Sequence, residues 1–292
     1  MREMTLTVPD SFEGAQAQDL LKTLGFSRRA VIKLKQSGGL ARNGAPLRAV
    51  DIIHAGERLT VRLSEEEPSE LPQPNPELHV PIVYQDEDVV VFNKPPYMPV
   101  HPSVRHYSDT LANLFAALFP GLPFRPINRL DRNTSGLCVC AKNRFAACSL
   151  SESLEKVYFA VTDGTPPGDT IAQPIGREDG SIIKRCVMPG GSPAVTHFSA
   201  VGGNGRRSLL RVTLETGRTH QIRVHMAYLG FPLCGDELYG GDCSGIQRQA
   251  LHCGEVTFTQ PVSHERIHLA AALPEDMSSL ITEENNDKSC DF

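Results

Sequence analysis

The 292-residue chain is 40% hydrophobic, enough for one large domain or for a small domain and a large one. Its net charge is −5, and its 24 glycines, 22 prolines and absence of tryptophan favour turns and short strands over long bundled helices. The opening residues MREMTLTVPD lack the apolar run of a signal peptide, and no stretch reaches the roughly 18 apolar residues of a membrane span, so a cytoplasmic protein without a membrane partner is expected.

Residues 1–63 carry ten Lys/Arg against six Asp/Glu and read as a basic module. Residues 17–24 predict a helix with Leu20, Leu21 and Leu24 on one face, ended by Gly25. Ser27 is expected to cap a second helix, with Ala30, Val31 and Leu34 inward and Arg28, Arg29, Lys33 and Lys35 outward. Gly38-Gly39 ends it. A short strand, the hairpin signal Asn43-Gly44 and a last strand over 58–63 complete the module, Leu59, Val61 and Leu63 alternating with polar residues. Residues 64–79 hold five Glu, several Pro and no base, so they read as an acidic linker unable to bury a core. Residues 275–292 are acidic with little periodicity and are expected to be a disordered tail.

Residues 80–274 mix both periodicities. Strands are expected over 88–92, 137–141, 157–161 and 210–214. Helices are expected over 108–119, with Leu111, Leu114, Phe115 and Leu118 at helical spacing, and over 219–229, with Thr219 as cap and Ile222, Met226 and Leu229 inward. Short strands outnumber helices, which predicts an α+β fold on an antiparallel or mixed sheet. Among the eight cysteines there is no Cys-x-x-Cys pair, and Cys138, Cys140, Cys148 and Cys253 lie in apolar surroundings. They read as small hydrophobes, not as a metal site or disulfide framework.

Three segments could carry chemistry. In Asn128-Arg129-Leu130-Asp131-Arg132-Asn133-Thr134-Ser135-Gly136, two arginines flank a carboxylate before an apolar strand. Neighbouring guanidinium groups favour the charged form that a nucleophile or base requires, although a salt-bridged surface loop fits the same residues. In Thr216-Gly217-Arg218-Thr219-His220-Gln221-Ile222-Arg223-Val224-His225, a helix N-terminus suited to anions carries two arginines and two histidines, and the histidine spacing is not that of a zinc helix. In Lys156-Val157-Tyr158-Phe159-Ala160-Val161, alternation sets Tyr158 and Ala160 on the polar face, opposite Val157, Phe159 and Val161. Asn93-Lys94-Pro95, His101-Pro102-Ser103 and the turn-rich Gly235-Asp236-Glu237-Leu238-Tyr239-Gly240 are weaker signals.

Taken in this order, these segments resemble the RluA/RluD family of pseudouridine synthases across residues 80–274. That family carries Arg-Leu-Asp-x-x-Thr-Ser-Gly, matched by 129–136, Lys-x-Tyr-x-Ala, matched by 156–160, and Gly-Arg-x-His-Gln-hydrophobic-Arg-Val-His, matched by 217–225. Residues 11–63 resemble, more loosely, the S4 RNA-binding module that often precedes this domain. Two departures stand out: Asn128 occupies a position where the family usually has His, and the stretch between Leu150 and Lys156 looks short.

The resemblance implies isomerisation of uridine to pseudouridine in structured RNA. The uracil is itself both leaving group and nucleophile, so no metal or organic cofactor is called for. Asp131 is expected to attack C1′ or take the C2′ proton. Arg223 is expected to pair with it, and Tyr158 to stack on the uracil and serve as base at C5. Arg129 is expected to fill the gap left by the flipped nucleotide. Lys94, Arg218, His220, Gln221, Arg28, Arg29 and Lys33 are expected to contact RNA. Ribosomal RNA is the favoured partner over transfer RNA, and a monomer is expected. The alternative is a catalytically inactive RNA-binding or ribosome-assembly protein.

Overall fold

The computed structural model describes residues 2–24, 26, 28–63 and 71–282. Among them, β1 (Arg2–Thr7), β2 (Leu40–Arg42), β3 (Ala45–Pro46) and β4 (Arg58–Leu63) form an antiparallel sheet in the order β1-β4-β2-β3. Asn43 and Gly44, at φ 48° and 85°, make the tight β2–β3 turn their sequence predicts. Strand β1 was not anticipated: its Thr and Arg content gives little apolar signal, and pairing with β4 supplies the order. Helices α1 (Ala17–Thr23) and α2 (Arg28–Ser37) lay Leu20, Leu21, Val31 and Leu34 against Leu59 and Val61. Each such burial contributes about 1.5–3 kcal/mol. The expected stop at Gly25, the cap at Ser27 and the side chains of Arg29, Ala30, Lys33 and Leu63 lie outside the described residues.

The linker divides in two. Residues 64–70 lie outside the described residues. Beyond them the chain is docked: Asn113 Nδ2 donates to Gln73 O (2.7 Å), Asn75 N–H to Asn113 O (3.1 Å) and Asn75 Nδ2 to Ser108 O (2.8 Å). The second half of the expected linker is therefore fixed to the larger domain by amide hydrogen bonds together with Leu78, which packs against the main core.

In the larger domain, β5 (Ile82–Gln85) and β6 (Val89–Lys94) precede α3 (Leu111–Leu118), which starts later than expected because Thr110 and Asn113 form a capping box. Leu118 is exposed, not inward. Next come β7 (Arg125–Pro126), the wholly buried β8 (Ser135–Ala141) and α4 (Arg144–Ser153). Helix α4 escaped sequence reading because its serines dilute the periodicity; Asn143 caps it by accepting from Ala146 N–H at 2.9 Å. Strands β9 (Glu155–Asp163), β10 (Thr170–Ile171), β11 (Ile175–Arg177), β12 (Arg185–Val187), β13 (Thr196–Gly203) and β14 (Arg207–Leu214) lead to α5 (Gln221–Tyr228), β15 (Leu251–Thr259), β16 (Arg266–Ala270) and α6 (Glu275–Ile281). The described sheet runs β10-β13-β14-β9-β15-β8-β6-β5, with β7 on β8 and β16 on β15. Only β15 and β8 pair in parallel among these described strands, so the sheet is mixed and the fold is α+β.

Two expectations need correction here. Residues 275–281 are not disordered: α6 buries Met277 and Leu280 beside Val161, and Asp276 accepts two hydrogen bonds from the buried Arg248. An apolar pair three apart and one ion pair suffice to dock a helix whose composition is acidic. Residues 283–292 lie outside the described residues. Tyr158 does not sit on a polar face: it and Ala160 join the main core.

The first domain is attached through rings. Phe145 of α4 completes the module's core and meets Phe26 at 5.3 Å between centroids. No described helix is long and apolar enough to cross a membrane.

Candidate active site

The loop between β7 and β8 presents Asp131, and its shape is fixed largely by bonds to its main chain. Asn128, buried, accepts from Val139 N–H (2.8 Å) and donates to Leu137 O (3.0 Å), filling the place of a strand peptide against β8. This supplies a structural task for the amide found where the family usually has His. Thr134 N–H closes a turn on Asp131 O at 3.0 Å. Lys94 Nζ donates to Arg132 O (3.1 Å) and Arg248 Nη1 to Asn133 O (3.3 Å). Gly136 then enters β8 at φ 111°, and a Cβ there would lie 2.2 Å from Cys253 O, so glycine is required. Register aligns Tyr158, Cys253 and Gly136 across three adjacent strands, which brings the tyrosine beside the end of the loop.

Helix α5 supplies the partner of Asp131. Arg223 Nη1 donates to Asp131 Oδ2 at 2.9 Å. Its other two nitrogens form a bidentate pair with buried Asp236, Nε to Oδ2 at 2.7 Å and Nη2 to Oδ1 at 2.8 Å. Burial would lower the Arg223 pKa, but Asp236 and Asp131 overcome it and raise it. The guanidinium carbon lies 5.0 Å from the centre of the Tyr239 ring.

Tyr239 and His220 complete the cluster. The Tyr239 hydroxyl accepts from Arg185 N–H (3.0 Å) and lies 2.9 Å from His220 Nδ1. With Nδ1 as the acceptor for the hydroxyl proton, the imidazole carries its own proton on Nε2, which faces Asp131 Oδ2 at 3.7 Å. Burial lowers the His220 pKa below its ordinary value, so the ring is neutral near pH 7. His220 also replaces Thr219 as the helix cap, in a left-handed conformation at φ 57°. The reason is Gln221, whose side-chain oxygen takes Thr216 Oγ1 and Arg218 N–H, both at 2.9 Å, and folds the loop back by one residue.

Between these elements lies a cavity of about 550 Å³ lined by His101, Arg129, Asp131, Lys156, Tyr158, Arg218 and His220, among others. This is the size of small-ligand pockets in general. Asp131 is the one carboxylate on its described lining. Burial, then the nearby Cys253 and Asp131, push the Tyr158 hydroxyl well above its ordinary pKa, so its resting form is the neutral phenol.

The structure thus brings together Asp131, Arg223, Tyr158 and His220, with exposed Arg129 and Arg218 at the rim. Two others are sealed inside the fold. Lys94 is 0% exposed and donates to Pro95 O, Met98 O and Arg132 O, so it holds loops and has no surface for a phosphate. Gln221 is buried with its amide fully engaged, also donating to Val195 O and Thr196 Oγ1. His220 lines the cavity, with Nε2 3.7 Å from Asp131 Oδ2. Arg28 is exposed on α2, far along the chain in the first module; the side chains of Arg29 and Lys33 lie outside the described residues. Sequence reading missed Asp236, Tyr239 and Arg248. The first two stood in residues 235–240, a turn-rich segment that also fits the family's Gly-Asp-x-x-Tyr-Gly but was given no role at the site; Arg248 carried no signal. No group of three or more His, Cys, Asp or Glu is placed to hold a metal among the described residues.

The family model described as RNA pseudouridylate synthase matches residues 88–228. The chain is 42% identical over 277 residues to the uncharacterized RNA pseudouridine synthase YjbO of Bacillus subtilis, covering 90% of this chain and 97% of that one. It is 37% identical over 304 residues to ribosomal large subunit pseudouridine synthase D of Neisseria meningitidis serogroup A, covering 95% and 80%. Among solved structures it resembles human RNA pseudouridylate synthase domain containing 1, with a TM-score of 0.58 and 25% identity, over 75% of this chain and 92% of the other.

Proposed function

Because the chain belongs to the RluA/RluD family of RNA pseudouridine synthases, we propose that it isomerises uridine at the Asp131 pocket, with Asp131 as the attacking group. The observation that carries this reading is the position of Asp131: a carboxylate at the cavity wall, held at 2.9 Å by an arginine that is itself anchored.

Pseudouridine formation exchanges the N1–C1′ bond for a C5–C1′ bond. Attack by Asp131 on C1′, or removal of the C2′ proton, releases the base as an anion. Tyr158 presents its ring to that base and keeps it stacked while it turns. A buried neutral phenol is poor at taking a proton, so the C5 proton goes to the Asp131 carboxylate, which is freed by breaking its bond to C1′ as C5 bonds there or, on the other route, by returning its proton to C2′. N1 gains a proton in exchange. Arg129, exposed beside Asp131, would fill the stack from which the uridine leaves.

The RNA in this reading is ribosomal, supported by the name of the Neisseria relative, and the compartment is the cytoplasm. Residues 1–63 serve as an S4-like grip on that RNA, with exposed Arg28 on its surface. Residues 80–274 form the catalytic domain, to which α6 adds a structural end.

The test is Asp131→Asn with an unmodified large-subunit ribosomal RNA transcript carrying tritium at uridine C5. Isomerisation expels that tritium to water. The variant is expected to bind the transcript and release none. Release at the wild-type rate would remove Asp131 from the chemistry.

A further inference from the structure

We propose that Tyr97 is a stacking platform for the nucleobase next to the target uridine. The proposal rests on reading the Asp131 cavity as the uridine site. With the target uridine in that cavity, the neighbouring nucleotides of the strand cross its rim.

Tyr97 stands at that rim. Pro99, Val100 and His101, two to four residues on, line the cavity itself. Arg132, next to Asp131, donates from Nε to the Tyr97 carbonyl at 3.2 Å. The catalytic loop and the main chain at residue 97 are therefore neighbours.

The backbone at Tyr97 is held in a conformation that a bulky residue rarely adopts, with φ at 65°. Nothing in its burial explains this, because the residue is 48% exposed. The surrounding main chain is pinned: buried Lys94 donates to Pro95 O at 2.8 Å and to Met98 O at 2.9 Å, one on each side. An exposed tyrosine alone is ordinary. A strained and pinned tyrosine, half exposed beside a catalytic loop, marks a position where a ring is wanted and its place is fixed. Exposed Arg129 and Arg132 stand along the same loop. Aromatic rings with guanidinium neighbours are how proteins hold unpaired nucleotides without reading their sequence, since every base has a π-face.

The test measures binding of a fluorescein-labelled single-stranded oligoribonucleotide of mixed, uridine-containing sequence to the full chain at several salt concentrations. Tyr97→Ala and Tyr97→Gly are expected to weaken Kd by roughly fivefold or more, the loss of one stacked base. The slope of log Kd against log salt should stay as in the wild type, because no phosphate contact is lost. Tyr97→Phe should bind within about twofold of the wild type, since a phenyl face stacks as well. Tyr97→Gly should not lower the melting midpoint, because glycine accepts this φ without strain. Wild-type affinity in Tyr97→Ala, an equal loss in Tyr97→Phe, a changed salt slope, or a lower midpoint in Tyr97→Gly would each overturn the proposal. Tritium release by Asp131→Asn judges the uridine reading separately and leaves these binding ratios standing.

Discussion

Asp236→Asn tests whether Asp131 is positioned through Arg223. The substitution keeps volume but turns one of the two acceptors, at 2.7 and 2.8 Å from the guanidinium, into an N–H₂ facing another donor. Both residues are buried. Removing one partner of a buried pair costs about 3–5 kcal/mol, and the lower end applies because Arg223 retains Asp131. A loss of about 3 kcal/mol lowers the melting midpoint by roughly 6–12 °C in a chain of this order of size. The catalytic consequence is separate. Without its anchor, Arg223 follows Asp131 instead of holding it, and a misplacement of about 1 Å costs on the order of 100-fold in rate. Single-turnover tritium release from C5-labelled transcript, with enzyme in excess, reads that step directly, well below the melting midpoint. A rate within twofold of the wild type, whatever the change in stability, would refute the chain of positioning from Asp236 through Arg223 to Asp131.

Two further expectations follow from buried cations. Burial pushes the Lys94 pKa from 10.5 to about 7; between those values the unfolded chain holds a proton that the native state lacks, so this group's burial penalty is complete below about pH 7 and is relieved as pH rises toward 10.5. Deprotonation also leaves Lys94 two N–H groups for the three carbonyls of Pro95, Met98 and Arg132, loosening its grip on the catalytic loop, so the wild-type rate should fall above about pH 7. In Lys94→Met that alkaline limb should vanish from the pH–rate profile; its persistence at the same position would exclude Lys94 as its source. Ending the chain after Pro274 removes Asp276 from Arg248, which destabilises the fold, and uncovers the surface under Met277 and Leu280. Amide exchange at residues 131–134 should then quicken, because Arg248 also holds Asn133 O; unchanged exchange there would show that the clamp is not transmitted to the loop.

The elements read best from sequence were those whose order is local. The Asn43-Gly44 hairpin needs only its two turn residues, and β4 alternates cleanly over 58–63. What escaped was set by distant partners. β1 depends on β4, and α6 on Arg248 and the surface beside Val161. The site divides in the same way. Asp131, Tyr158 and Arg223 were legible because three motifs carried them. Lys94 was misread because a lysine near such motifs suggests a phosphate, and only the fold reveals three carbonyls around it. Gln221 was misread for the same reason, its amide oxygen being taken by the loop before its own helix and its NH₂ by Val195 and Thr196. Arg223 pairs with Asp131 as expected, but its two-bond partner is Asp236, to which sequence reading assigned no such role.

Lys94 and Arg248 grip the catalytic loop by the carbonyls of residues 132 and 133. Every amino acid has that carbonyl, so neither grip depends on which side chain stands there. Arg132 can therefore be exchanged without unfastening Asp131. An ancestral enzyme could change the side chain that meets a new RNA while the reacting carboxylate stayed in place. Chemistry and target choice are thereby free to evolve at different speeds within two adjacent residues.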